Sequence, residues 1–178
     1  SASVDENYRR SVLHGCFPKH AANTPEQIKR LDRYMPLFEQ FRRRVLCFEP
    51  DPIRVPAGAR TKLYTVGKHY VAGIINTHID EGDRIAYRGT PHAIFRVQRG
   101  CDVGKVGVMV PGDKKLRPVK FRFDGTFIFV PMRRYTNCAV VKLFVTRRTG
   151  RKIANRQFPN DIDFCGDPQS SFEALGSL

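Results

Sequence analysis

The chain has 178 residues, a length that suits one compact domain with extensions, and 41% of them are hydrophobic, which allows a modest core. Its 31 Lys and Arg against 17 Asp and Glu leave a formal net charge of +14, which favours a polyanionic partner such as nucleic acid. The five cysteines include no Cys-x-x-Cys pair, which argues against a disulfide scaffold or zinc ribbon, and no apolar run reaches the ~18 residues of a membrane-spanning helix.

The N-terminal part combines a stretch without periodicity and a strong helix signal. Residues 1–23 show no sustained apolar period, and we interpret them as an extended arm. A capping-box arrangement follows, with the Thr24 hydroxyl at the N-cap and Gln27 three residues later. Apolar residues then recur every three or four positions, which predicts an amphipathic helix over about 25–47. Pro36 lies inside this pattern and predicts a kink or two short helices.

Residues 48–59 contain three prolines and predict a linker that ends the N-terminal extension, residues 1–59. A basic β-domain is expected over 60–148, followed by an irregular C-terminal extension over 149–178. Short candidate strands separated by Gly and Pro turns lie at 63–66, 69–76, 84–88, 93–98, 106–110, 119–123, 126–130 and 139–147. The predicted fold is mainly β, a small antiparallel barrel or sandwich with an α-helical N-terminal extension.

The clearest local signal is a hairpin at Asp124 and Gly125, which separate two aromatic-rich segments. An Asp-Gly pair supplies the positive φ angles of a type I′ turn. The alternation in 119–123 directs apolar side chains to the core and Lys120 and Arg122 to solvent. The spacing of four aromatic residues places most of them in the core, with base stacking as the alternative: Phe121, Phe123, Phe127 and Phe129.

The positive charge is concentrated between Arg84 and Arg156. This stretch contains 18 Lys and Arg against three Asp, so the rest of the chain is almost neutral. Cations on turns and outward strand positions would neutralise phosphates, and their affinity would fall steeply with salt. The candidate RNA-binding residues are Arg84, Arg88, Arg96, Arg99, Lys105, Lys114, Lys115, Arg117, Lys120, Arg122, Arg133, Arg134, Arg147, Arg148, Arg151, Lys152 and Arg156.

A metal-dependent enzyme is a weaker hypothesis. It would use His69, His78 and Asp80, with Glu81 and Asp83 nearby, because imidazole and carboxylate groups bind metals. The residues after His78 have the composition of a turn, and no second convergent histidine is in reach. Nucleophile, P-loop and dinucleotide motifs are absent from the sequence. We therefore expect a non-enzymatic protein without a cofactor or a bound metal.

Several phrases resemble the bacterial-type large-subunit ribosomal protein family twenty-seven. They are GDRI at 82–85 with RGT at 88–90, GCDVG at 100–104, and FDGTFIF at 123–129. The segment HYVAGII at 69–75 is a second possible match to the first phrase. The resemblance covers about 60 of the 178 residues and lacks the family's Gly-rich basic tail.

The resemblance implies a β-domain embedded in large-subunit ribosomal RNA, with its two extensions contacting neighbouring ribosomal proteins. Long additions at both ends suit a divergent mitochondrial member in the mitochondrial matrix, and the cytoplasm is the alternative location. The leading hypothesis is thus a structural ribosomal RNA-binding component of a large subunit. The alternative is a viral capsid or nucleic-acid-packaging protein, since a β-sandwich with a cationic face would serve there too.

Overall fold

The computed structural model describes residues 2–18, 23–46, 53–55, 59–76, 79–80, 84–85, 92–132, 135 and 137–147. Its helices are α1 (Ala2–Leu13) and α2 (Pro25–Glu39). Its strands are β1 (Arg44–Leu46), β2 (Ile53–Arg54), β3 (Ala59–Val66), β4 (His69–Asn76), β5 (Ile79–Asp80), β6 (Arg84–Ile85), β7 (His92–Arg96), β8 (Cys101–Met109), β9 (Arg117–Pro118), β10 (Arg122–Phe123), β11 (Phe127–Pro131) and β12 (Cys138–Arg147). Neither helix of the described residues is long and apolar enough to cross a membrane.

The N-terminal segment is helical, which corrects the prediction of an extended arm over residues 1–23. α1 buries Tyr8, Val12 and Leu13 against α2 and the large sheet. A helix of 12 residues is marginal in isolation, and its stability comes from this tertiary packing. The apolar residues Val4, Tyr8 and Val12 do recur every four positions, but a period over only three residues is a weak helix signal in the sequence.

α2 begins where its sequence predicts and ends earlier. The Thr24 hydroxyl accepts a hydrogen bond from the Gln27 backbone N–H (3.3 Å), and the Gln27 side chain accepts one from the Thr24 N–H (3.3 Å), so the capping box is confirmed. One helix runs across Pro36 and ends at Glu39, so the predicted C-terminal boundary at 47 is wrong. The reason is tertiary: the segment that would continue the helix pairs instead with β3 as β1.

The strands form a sandwich of two antiparallel sheets, which confirms the predicted fold class. The large sheet has six strands in the order β1-β3-β4-β12-β8-β9, and the small sheet has four in the order β10-β11-β7-β2. A third pair joins β5 to β6. β1 and β2 lie before residue 60, so the N-terminal extension contributes a strand to each sheet. The predicted C-terminal extension, 149–178, lies outside the described residues.

The molecule has three layers, the helices, the large sheet and the small sheet, and an apolar core lies between each pair of neighbouring layers. The first fills the space between the sheets, with Phe95 and Ile128 from the small sheet meeting Val141 and Leu143 from the large one. The second lies between the helices and the other face of the large sheet, where Val140 contributes. Successive residues of β12 thus face opposite cores, so both faces of this strand are buried over Cys138–Leu143 apart from Lys142.

The connectivity of the sandwich is nested. In chain order, the paired strands β7 and β11 lie between the paired strands β4 and β12. The paired strands β8 and β9 lie in turn between β7 and β11. β12 also pairs with β8, so the last strand of the described residues lies between β4 and β8 in the large sheet. This wrapping of paired strands over two sheets is that of a jelly-roll sandwich.

The hairpin after β10 exists, but its turn differs from the predicted type I′. The Asp124 N–H donates to the Phe127 carbonyl (3.1 Å), which makes Gly125 and Thr126 the two central residues. Gly125 has a φ of 102°, whereas neither Asp124 nor Thr126 has a positive φ, so the two successive positive φ angles of a type I′ turn are absent. The Asp124 carboxylate accepts from the N–H groups of Thr126 (2.8 Å) and Phe127 (2.7 Å), which holds this register.

Candidate nucleic-acid interface

The predicted RNA-binding residues are exposed wherever the structure describes their side chains. These are Arg96, Arg99, Lys105, Lys114, Lys115, Arg117, Lys120 and Arg122. Arg84 lies on β6 and Arg147 ends β12, and for these the backbone alone is described. The others lie outside the described residues: Arg88, Arg133, Arg134, Arg148, Arg151, Lys152 and Arg156.

The sandwich distributes these cations over separate surfaces. Arg96 and Arg122 lie on the outer side of the small sheet, and Lys105 lies on the outer side of the large sheet. Lys114 and Lys115 lie in the connection from β8 to β9. The single cationic face that the two-residue rhythm suggests is therefore divided, because the chain passes repeatedly between the two sheets.

The outer side of the small sheet combines arginines with aromatic rings. Strand pairing aligns Arg122 with Phe129 and Phe129 with Ile94, and it aligns Phe127 with Arg96 in a neighbouring row. The alternate residues of these strands face the inner core, so these five side chains point outward. We call this group, Ile94, Arg96, Arg122, Phe127 and Phe129, the small-sheet face.

The arginines of the small-sheet face are available to an anion. The Arg122 guanidinium carbon lies 5.7 Å from the centroid of the Phe129 ring, a cation–π contact worth about 0.5–1 kcal/mol at an exposed site. Neither Arg96 nor Arg122 forms an ion pair with a carboxylate of the described residues. Their charges are thus not neutralised within the described part of the chain.

Two of the four aromatic residues lie where a base could stack. Phe121 and Phe123 pack against the core between the sheets, as their spacing predicts. Phe127 and Phe129 instead lie half-buried on the outer side, because Ile128 and Val130 take the inward positions of β11. The sequence shows this alternation but not which of the two sets faces the core, so the outward rings could not be identified from it.

Arg117 stabilises the connection between β8 and β9. Its guanidinium forms an ion pair with the buried carboxylate of Asp113, which also accepts a hydrogen bond from the Val110 N–H (3.2 Å). Removing Arg117 would leave this carboxylate without its cation, so a loss of RNA affinity there could arise from misfolding. Arg117 is therefore a poor probe of the interface.

The residues of the metal hypothesis are not brought together in the part of the chain described. His69 lies on β4 and its ring packs on Phe144, with 5.0 Å between ring centroids. Asp80 is described by its backbone alone, and His78, Glu81 and Asp83 lie outside the described residues. Among the described residues, no group of three or more His, Cys, Asp or Glu side chains is placed to hold a metal ion.

Comparison with known proteins identifies a similar fold but no family. No protein-family model matches the chain, and no curated protein matches it either. Among solved structures, a cycloisomaltooligosaccharide glucanotransferase of Paenibacillus sp., crystallised with cycloisomaltoheptaose, has a TM-score of 0.52 and 8% sequence identity. The match covers 67% of this chain and 21% of that enzyme. The chain thus shares a sandwich fold with about a fifth of that protein, and the likeness shows the fold alone.

Proposed function

We propose that this protein is a structural RNA-binding component of a ribonucleoprotein assembly. The observation that supports the proposal is the small-sheet face, where Arg96 and Arg122 alternate with Phe127 and Phe129 and form no ion pair within the described residues. Arginines beside aromatic rings are the combination by which single-stranded nucleic acids are bound with little base readout.

Each residue type of the face has its own role. The two arginines neutralise phosphates and release counterions, which gives affinity without sequence specificity. The half-buried rings of Phe127 and Phe129 stack unpaired bases, at about 1–3 kcal/mol per base. The protein is thus expected to prefer loops and single strands to an A-form duplex, in which the bases are stacked on each other.

We place this activity in the large subunit of a ribosome, in mitochondria, bound to ribosomal RNA beside neighbouring ribosomal proteins. The proposal rests on the resemblance to ribosomal family twenty-seven. Two of its phrases, 100–104 and 123–129, form the start of β8 and the β10–β11 hairpin. The helices α1 and α2 form a layer of their own on the large sheet and offer a surface to neighbouring proteins.

A nucleic-acid-packaging protein of a virus is the second candidate, and the connectivity of the sheets favours it. The nested pairs β4–β12, β7–β11 and β8–β9 form a jelly roll, an architecture that viral capsid domains share with lectins and cupins. The small-sheet face would then bind a packaged genome by the same chemistry.

RNA binding is tested by the salt dependence of affinity for an unstructured single-stranded RNA. The variant Arg96→Gln/Arg122→Gln removes two phosphate contacts, so the slope of log K against log salt should become shallower by about 1.4. The matched control is Lys29→Gln/Arg33→Gln, which removes the same charge from exposed positions of α2. Absence of RNA binding by the unmodified protein, or equal slopes for both variants, would contradict the proposal.

The stacking role is tested separately with Phe129→Leu, which keeps an apolar side chain but removes the ring. Affinity for single-stranded RNA should fall about five- to a hundredfold, while affinity for a perfect duplex changes little.

The assembly is identified by cross-linking the protein to nucleic acid in its native cells and sequencing the nucleic acid that is attached. One sharp footprint on large-subunit ribosomal RNA supports the ribosome, and broad coverage of one viral genome supports packaging.

A further inference from the structure

A second cationic group lies on the outer side of the large sheet. β12 turns Lys142 and Phe144 to the same side as Val140, which packs under the helices. Phe144 aligns with Lys105 of β8. The ammonium nitrogens of Lys105 and Lys142 lie 5.7 Å and 5.4 Å from the centroid of the Phe144 ring, and the His69 ring centroid lies 5.0 Å from it. We call His69, Lys105, Lys142 and Phe144 the Phe144 cluster.

The cluster holds positive charge that the described residues do not neutralise. Neither Lys105 nor Lys142 forms an ion pair with a carboxylate of the described residues. The carboxylate of Asp102, on the same strand as Lys105, accepts a hydrogen bond from the Val103 N–H (2.8 Å). Exposed Lys68, at the turn before β4, adds a further cation. Such a concentration of like charge is unfavourable without a counter-ion.

Burial makes the unfavourable charge more costly. Lys142 is half-buried, and burial lowers the pKa of its ammonium. Burial also lowers the pKa of His69, and the charges of Lys142 and Lys68 lower it further. The Nδ1 atom of His69 is buried and has no hydrogen-bond partner. Two ammonium groups beside one ring, without a carboxylate partner among the described residues, are the arrangement that a phosphate with its several oxygen atoms would neutralise.

The Phe144 cluster and the small-sheet face lie on opposite sides of the sandwich. The inner side of each sheet forms the shared core, where Val141 and Leu143 meet Phe95 and Ile128. Packed sheets are about 10 Å apart, before the length of outward side chains is added. A single phosphate group cannot contact both cationic groups.

We propose that the Phe144 cluster is a second binding site for RNA phosphate, so that one copy of the protein holds two RNA segments, one on each side of the sandwich. The inference rests on the proposed RNA-binding function and extends it from binding to cross-bridging. Lysine ammonium groups bind the phosphate as point charges, supplied here by the exposed Lys105 and the half-buried Lys142. Lys105 is among the residues predicted from the sequence to bind RNA, whereas Lys142 and Phe144 are not, because a lysine and an aromatic residue within an apolar strand carry no binding signal.

Bridging is measured with two short RNA hairpins, one carrying biotin and the other a fluorophore. The unmodified protein should retain the fluorescent hairpin on streptavidin beads that carry the biotinylated one. Lys105→Gln/Lys142→Gln and Arg96→Gln/Arg122→Gln should each still bind one hairpin, while retention of the second falls about tenfold or more. Lys29→Gln/Arg33→Gln, with the same loss of charge on α2, should bridge like the unmodified protein.

The design separates the two proposals. Undiminished bridging by Lys105→Gln/Lys142→Gln overturns the second site, because bridging would then arise from two copies that each use the small-sheet face. Failure of the unmodified protein to bind either hairpin overturns the proposed function itself. Since Lys142 is half-buried, the single variant Lys105→Gln is measured as well: its side chain is exposed and its loss leaves the core intact. Its bridging should also fall, and unchanged bridging by this folded variant counts against the cluster.

Discussion

Gly73 on β4 lies against the backbone of Val12 in α1 so closely that a Cβ atom at Gly73 would be 2.2 Å from the Val12 carbonyl oxygen. The absence of a side chain at this position allows the last turn of α1 to lie directly on the large sheet. Tyr64 on the adjacent strand supports the same contact, since its hydroxyl donates to the Leu13 carbonyl (3.0 Å). The helical layer thus depends on one missing side chain in the middle of a strand.

Gly73→Ala is therefore expected to destabilise the protein by about 1–3 kcal/mol, because backbone atoms must move to accept the methyl group. Gly104→Ala is the matched control, since a Cβ there meets nothing within 4 Å and its φ is not positive. Urea unfolding of both variants measures the difference. A Gly73→Ala variant as stable as Gly104→Ala would contradict the close packing of α1 on β4.

Loss of the helix cap at Thr24 should cost about 1 kcal/mol. Thr24→Ala removes the hydroxyl that accepts from the Gln27 N–H, whereas Thr24→Ser retains an equivalent oxygen. Chemical denaturation of the two variants should show the alanine form to be the less stable. Equal stabilities would indicate that α2 is held by its packing alone.

The contact between Tyr34 and Asn137 joins α2 to the start of β12. The Asn137 side-chain N–H donates to the Tyr34 hydroxyl (2.5 Å) in a buried environment. Tyr34→Phe leaves that N–H group unsatisfied and should cost about 1–3 kcal/mol. The double variant Tyr34→Phe/Asn137→Val removes both partners and is expected to be more stable than Tyr34→Phe in the same thermal unfolding assay. A double variant less stable than the single one would disagree with this assignment.

Stability should fall as the solution is acidified below neutrality. Burial lowers the pKa of both His14 and His69 from the ordinary 6.5, and the nearby cations Lys62 and Lys142 lower them further. The unfolded chain therefore binds protons more readily, and stability is lost as pH falls from about 6.5 towards the folded pKa values. Urea unfolding at about pH 7.5 and 5.5 measures this loss, and His14→Gln/His69→Gln should reduce it. A free energy of unfolding that is larger at the lower pH would contradict this prediction.

The basic residues at the end of β12 and after it are predicted from sequence to contact RNA. Replacing Arg147, Arg148, Arg151 and Lys152 together with Ala should weaken RNA binding and make its salt slope shallower by about 2.8, if each contacts one phosphate. Circular dichroism should show an unchanged fold. An unchanged slope would remove these four residues from the interface.

Much of the fold follows from local patterns. The capping box formed by Thr24 and Gln27 predicts where α2 begins, and the apolar runs at 69–76 and 139–147 predict β4 and β12 close to their observed bounds. The concentration of charge between Arg84 and Arg156 likewise needs no structure to be seen. These features depend on neighbours in the sequence, so the sequence by itself determined the β-rich class and the concentration of positive charge, from which we predict a polyanionic partner.

The pairing of distant segments decided the rest. α1 is a helix because it packs on Gly73, more than 50 residues away, and α2 ends at Glu39 because the following residues pair with β3. Phe127 and Phe129 face outward, and Lys105 meets Phe144, only because of how β11 and β12 pair with their partners. An alternating strand has two chemically possible inner faces, and burial against non-local strands selects one of them. The tertiary structure alone therefore decided which cations and rings share a surface.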